Sequence, residues 1–414
     1  MNDSLRQADA GAADGESGPA KYVEEVVEYV DNKRQRAVLA GLLVVLFLLL
    51  LGVSFWVVRL TRPASAPRRA ALPGGMEWVR SIYGWGKLPN QQLVAPTDVA
   101  VGPDGTIWCL SEHRTIVAFN PDGSAKRVVQ PRIGASLEGI SVDENGDVFV
   151  ADYGGQIIHF KPDGSAAATW SVELPSELDV KAGRIAVAAA KGVAVFTLDD
   201  QILAKFGTRG QGKDQFDLPH GIVQTSDRLY VSDTQNRRVK AFTSVGRPLW
   251  VAGEAPDRTK PGAGDIRSAD TSNAPFELPA GMTTDGKGRL VLVDAFKFQI
   301  IALDPSTGQV AHDSSKHKAV YGDQGGADGY FMYPTGISYD RTRDWFVVAD
   351  TGNDRLQVVR IPGSGGGALS RVAGTFSLPM CVFLIPLLLL LIALILAARR
   401  HRRDLRQRLT ARAP

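Results

Sequence analysis

The sequence predicts an all-β chain folded as a six-bladed β-propeller and flanked by two transmembrane α-helices. Three observations carry that prediction. A phrase recurs along residues 76–361, short alternating strands fill each recurring unit, and two long uncharged apolar runs lie outside them.

The phrase is clearest at residues 206–222, FGTRGQGKDQFDLPHGI: an apolar-Gly pair, a polar glycine-rich run, then Phe-x-Leu-Pro before a small residue and an aliphatic. Val251-Ala252-Gly253 leads in the same way to Phe276-Glu277-Leu278-Pro279-Ala280-Gly281-Met282. Tyr321-Gly322 leads to Phe331-Met332-Tyr333-Pro334-Thr335-Gly336-Ile337, and Ile82-Tyr83-Gly84 leads to Ala95-Pro96-Thr97-Asp98-Val99. Weaker copies at SLEGI (136–140) and LPSEL (174–178) complete a set of six units. They begin near Thr97, Glu138, Ser176, His220, Ala280 and Thr335, and a unit of about 40 residues points to a propeller or a solenoid.

Within a unit the pattern is strand, turn, strand. GIVQTSDRLYVSDTQNRRVKAF holds an apolar start, an alternating strand over Arg228–Ser232, an Asp-led loop and a third strand over Val239–Phe242. Pro-Asp-Gly at 103–105, 121–123 and 162–164, with Glu144-Asn145-Gly146, marks hairpin turns, because Asp-Gly and Asn-Gly accept the positive φ that tight turns require. A fourth strand such as Ile202–Phe206 ends at the apolar-Gly phrase. Four antiparallel strands, six times over, make the propeller. Residues 77–83 (EWVRSIY) resemble a fourth strand placed before the first unit, whereas the sixth unit stops after its third. The N-terminal strand is therefore expected to close the last blade, leaving no free sheet edge and sending both chain ends out of one face.

VSDTQNRRVKAF (231–242) and VADTGNDRLQVV (348–359), each after a Phe-x-x-Pro-x-Gly phrase, resemble the NHL-repeat family. The resemblance spans residues 77–360 and departs most in the third unit, where Ala188-Ala189-Ala190 replaces the Ser/Ala-Asp step. Asp152, Asp233, Asp294 and Asp350 recur once per unit at a strand end. A residue repeated with the fold serves the fold: a carboxylate there accepts backbone N–H groups of the adjoining loop.

The apolar runs Ala37–Val58 and Phe376–Ala398 carry no charge, and each exceeds the roughly 20 residues that a helix needs to cross a bilayer. The first is longer than a signal-peptide core and lies behind a long leader, which favours an uncleaved signal anchor. Arg399, Arg400, Arg402, Arg403, Arg406, Arg408 and Arg412 place the C-terminal tail in the cytoplasm, and two spans place the N-terminus there also. The expected organisation is a cytoplasmic leader (1–36), first span (37–58), Pro/Arg-rich linker (59–75), propeller (76–361), Gly-rich linker (362–375), second span (376–398) and basic tail (399–414). Val23, Val26, Val27 and Val30 in the leader share a helix face, which suits docking to a membrane partner.

Strand alternation puts the six leading residues around one mouth of the central channel, termed the top, facing away from the membrane. Thr97, Glu138, His220 and Thr335 are the expected contact ring for a protein or cell-envelope ligand. The NHL resemblance implies two functional classes. One is an extracytoplasmic binding or sensing module like those of bacterial receptor kinases, here without room for a kinase domain. The other is a metal-dependent propeller enzyme like peptidyl-hydroxyglycine lyase, whose blade-entry histidines hold zinc. A catalytic zinc needs about three convergent protein ligands. His220 is the one histidine among the six entries, and His113, His159, His312 and His317 fall on strands or loops that are not expected to reach the axis. No catalytic residue, cofactor or metal is therefore assigned. Residues 76–375 carry 31 Lys plus Arg against 35 Asp plus Glu. That acidic balance is a poor match to nucleic acid. The two cysteines, Cys109 and Cys381, supply no disulfide framework.

Overall fold

The computed structural model describes residues 40–41, 44, 46–47, 72–131, 135–255, 275–313 and 317–365. The chain divides into two compact units, residues 1–70 and 71–414. Of the first unit, residues 40–41, 44 and 46–47 are helical. Among the described residues no helix is long and apolar enough to cross a membrane. The leader helix, the second apolar run, the basic tail and nearly all of the first apolar run lie outside them.

Within the second unit, six four-stranded antiparallel sheets form the predicted six-bladed propeller. Their inner strands are Val99–Val101, Leu137–Val142, Pro175–Lys181, Pro219–Gln224, Pro279–Thr284 and Pro334–Asp340. The middle strands are covered by neighbouring blades on both faces, so several read as near-continuous apolar runs rather than alternating ones, while Arg238–Thr243 and Arg355–Arg360 bury Lys240 and Gln357 within theirs. Val148–Asp152 and Leu290–Asp294 are buried at every position, while the outer strand Ala125–Val129 is exposed along most of its length. The apolar core is consequently a ring of seams between blades. In one of them Ile82, Val99, Cys109 and Phe119 meet Val347, Leu356 and Val358.

The recurring phrase has a packing cause. Gly207, Gly253 and Gly322, which end or follow outer strands, have φ of 91°, 88° and 89°. A Cβ on Gly207 or Gly322 would lie 2.5 or 2.6 Å from the ring of Phe216 or Phe331. Those rings and that of Phe276 are fully buried. The glycine supplies both the left-handed turn and the clearance for the ring that seals the passage to the next blade.

The once-per-blade aspartates act as expected and also reach backwards along the chain. Asp152, Asp233, Asp294 and Asp350 accept the backbone N–H of Ser136, Asp217, Leu278 and Met332 at 3.0, 2.7, 3.0 and 2.7 Å, all in the link that precedes the inner strand. Asp152 also accepts Gly154 N at 3.0 Å. In blades 4 and 6 an arginine completes the corner: Arg238 Nε to Asp233 and Arg355 Nε to Asp350, both at 2.8 Å.

Glu77–Ile82 pairs antiparallel with Arg355–Arg360, so the N-terminal strand completes blade 6. Glu77 sits opposite Arg360, and Ser364 Oγ donates to Asp344 Oδ1 at 2.7 Å in the turn after the blade-6 inner strand. The chain thus enters and leaves the propeller on the face where the inner strands end. Of the residues counted with the linkers from sequence, Leu72 joins the core of blades 5 and 6, Pro73 O accepts Gly322 N at 3.4 Å just after the outer strand of blade 5, and Ser364 is buried.

Candidate functional site

Thr97, Glu138, Ser176, His220, Ala280 and Thr335 each stand just before or near the start of an inner strand, and several of them tie blades together. Thr335 Oγ1 donates to Thr97 O and also lies 2.6 Å from Thr351 Oγ1. Ser176 Oγ donates to Pro219 O at 2.6 Å, and Ser232 Oγ to Ala280 O at 2.7 Å. These hydroxyls satisfy carbonyls at the start of the next inner strand, which a sheet edge at a blade junction leaves open.

The rest of the ring is less committed. Thr97 is 7% exposed, and its Oγ1 has no hydrogen-bond partner among the described residues. His220 is partly buried with Nδ1 likewise unpartnered. Burial holds its pKa below the ordinary histidine value, with Glu138 pulling it up and His113 pushing it down. Those charges act across the mouth, so Glu138, His113 and His220 share one electrostatic neighbourhood.

His113 stands beside the blade-2 entry, where sequence assigned it no role. It occupies the loop between the second and third strands of blade 1, with φ of 55°. Its carbonyl accepts Leu137 N at 2.8 Å, and its Nδ1 lies 3.3 Å from Glu138 Oε1. Hydrogen bonding to Glu138 raises the His113 pKa, against a smaller opposing effect of burial. The usable signal was topological, since that loop abuts the entry of the next blade. His159 instead stacks on Phe149 with ring centroids 4.4 Å apart and meets Asp147 Oδ2 at 2.8 Å, away from the mouth.

A second feature lies deeper in the channel. A cavity of about 520 Å³ is lined by all six inner strands and their following turns, from Asp98 and Glu177 through Asp179 and Gln224 to Asp340 and Arg341. None of Thr97, Glu138, His220 and Thr335 lines it. Its volume lies within the range of small-molecule sites. Among the described residues no group of three His, Cys, Asp or Glu side chains is placed to hold a metal ion.

No protein-family model and no curated protein matches the chain. Similar solved structures include a streptogramin B lyase at 12% identity, covering 70% of this chain and 99% of that one with a TM-score of 0.44. A catalytically inactive virginiamycin B lyase from Staphylococcus aureus with Quinupristin is 16% identical, covering 68% and 98% with a TM-score of 0.47. A protein of unknown function from Bacteroides thetaiotaomicron is 16% identical, covering 70% and 74% with a TM-score of 0.49. At these identities and scores the likenesses say nothing of activity.

Proposed function

We propose that the chain is an NHL-type propeller tethered to a membrane by residues 37–58 and 376–398, recognising a protein or cell-envelope ligand at the mouth ringed by Thr97, Glu138, His220 and Thr335. The observation that carries this reading is the unspent polar capacity there. Among the described residues Thr97 Oγ1 and His220 Nδ1 lack partners, beside the His113–Glu138 pair. A buried polar group without a partner costs about 1–3 kcal/mol, which a ligand supplying the missing hydrogen bond recovers. The closing strand begins and the last strand of blade 6 ends at the opposite face, which supports the orientation, because a tether there leaves the mouth clear. A metal-dependent lyase or hydrolase is the alternative, less supported because, among the described residues, Glu138, His113 and His220 are not placed as a group of three that could hold a metal ion.

Site-specific photo-crosslinking in the full-length chain tests this. Probes at Leu218 and Glu112, exposed beside the mouth, are expected to capture a discrete partner, whereas a probe at Val245, 62% exposed in the outer hairpin of blade 4, captures none. Equal capture from Val245 would remove the mouth as the contact surface.

A further inference from the structure

In four blades the residue after the entry position is glycine: Gly139, Gly221, Gly281 and Gly336. These glycines let adjacent inner strands approach closely. A Cβ on Gly221 would lie 2.2 Å from Ala280 O, and one on Gly281 would lie 2.6 Å from Thr335 O. Blades 1 and 3 carry Asp98 and Glu177 instead, 4% and 5% exposed, on either side of blade 2.

Both carboxyls converge on the blade-2 backbone. Asp98 Oδ2 accepts Ile140 N at 2.8 Å, and a Cβ on Gly139 would lie 2.5 Å from Glu177 Oε1. On its other side Asp98 abuts Gly336, whose Cβ would lie 2.4 Å from Oδ1. Glu177 Oε1 accepts Leu178 N at 2.9 Å, while its buried Oε2 has no partner among ordinary donors.

Among the described residues no cation neutralises the two carboxyls. On the strands packed against them, Asp152 accepts backbone N–H groups, and Asp340 and Asp350 are paired with Arg343 and Arg355. Arg184 donates to Thr225 O, Glu138 faces His113, and Cys109 is an uncharged thiol whose pKa burial raises. Of the remaining groups, His220 is kept neutral by burial, and Lys181 is exposed and acts on Asp179. Two buried carboxyls that meet without a base resist ionising together while the blades stay packed, so at neutral pH and below they hold at least one proton between them.

We propose that Asp98 and Glu177 form a proton-sharing latch across Gly139 that holds blades 1, 2 and 3 together around the channel and loosens them when the proton is lost. Both carboxyls belong to the lining of the 520 Å³ cavity. The latch stands independently of any ligand at the mouth. Burial pushes Asp98 up to about 7, and burial followed by the charge of Asp98 pushes Glu177 well above the usual carboxylate range. With folded-state values raised, the native state binds more protons than the unfolded chain. Stability is therefore full below about pH 4 and falls as pH rises through about 7 and beyond. Asp179, raised by burial to about 6, adds in the same direction at the lower end of that window.

The test follows the full-length chain by infrared spectroscopy and thermal melting from about pH 5 to about pH 9. Wild type is expected to show a protonated-carboxyl C=O band at neutral pH that Glu177→Gln removes. Its melting midpoint should fall with rising pH, and Asp98→Asn and Glu177→Gln should flatten the fall while Asp179→Asn retains most of it. Absence of that band from wild type at neutral pH overturns the proposal, a reading that stands even where the variants fail to fold. A fall equally steep in both pair variants overturns it too.

Discussion

At the scale of single residues, the chain was legible wherever a side chain does the same job in every blade. The four strand-end aspartates announce a structural role by recurring, and each fastens the link that precedes its inner strand. Asp350 holds Arg355, which is 2% exposed, together with Asn353 and Gln357. Asp350→Ala would strip the buried Arg355 guanidinium of its close carboxylate, leaving Asp328 at 3.7 Å, and is expected to cost about 3 kcal/mol in chemical denaturation; a loss under about 1 kcal/mol would show that the corner is solvated. Asp98 and Glu177 were illegible for the complementary reason. Each breaks a glycine pattern by one position, and one such departure looks like drift until coordinates bring the two together across a third blade. His113 was missed because reaching the mouth depends on a left-handed loop residue that no spacing rule reveals.

At the scale of elements, strand order and turns followed from the alternation and the Asp-Gly signals. Gly105, Gly123, Gly146 and Gly164 all adopt the positive φ those turns require, between 83° and 87°. Boundaries shifted by a residue or so, as with Arg238–Thr243 for the expected Val239–Phe242. The glycines behind the entry positions were visible as a motif, but their purpose was not, since the clash they avoid lies with a neighbouring blade. In Gly281→Ala the new methyl would meet Thr335 O and the Gly336 Cα, both backbone. A penalty of about 1–3 kcal/mol is expected from urea unfolding, with no change if the blades can spread. The closing strand gives a sharper outcome. Ile82 is 4% exposed in the blade 6–blade 1 seam, so Ile82→Asp buries an unpaired charge and should lose more than about 4 kcal/mol, read as a collapse in melting temperature.

At the scale of the whole molecule, the number of blades and the closure by Glu77–Ile82 came from counting repeats and noticing a surplus strand at one end and a missing one at the other. What the channel holds is a property of six strands meeting at an axis, and no single unit of the sequence displays it. The tether is a statement about residues outside the described ones, argued from apolar length and arginine placement. Protease added to right-side-out vesicles is expected to cut the propeller and spare the arginine-rich tail, with the reverse in inside-out vesicles; cleavage of the propeller only in inside-out vesicles would place it in the cytoplasm. Glu77 and Arg360, partners in the last blade, stand 283 residues apart. During synthesis the first strand of the propeller must wait as an unpaired edge until nearly all the rest has been made, since long-range pairing comes late and leaves edges vulnerable to aggregation. A ribosome stalled anywhere before residue 360 would therefore hold an open arc rather than a ring, and the nascent chain would depend on chaperones until its final strand emerged.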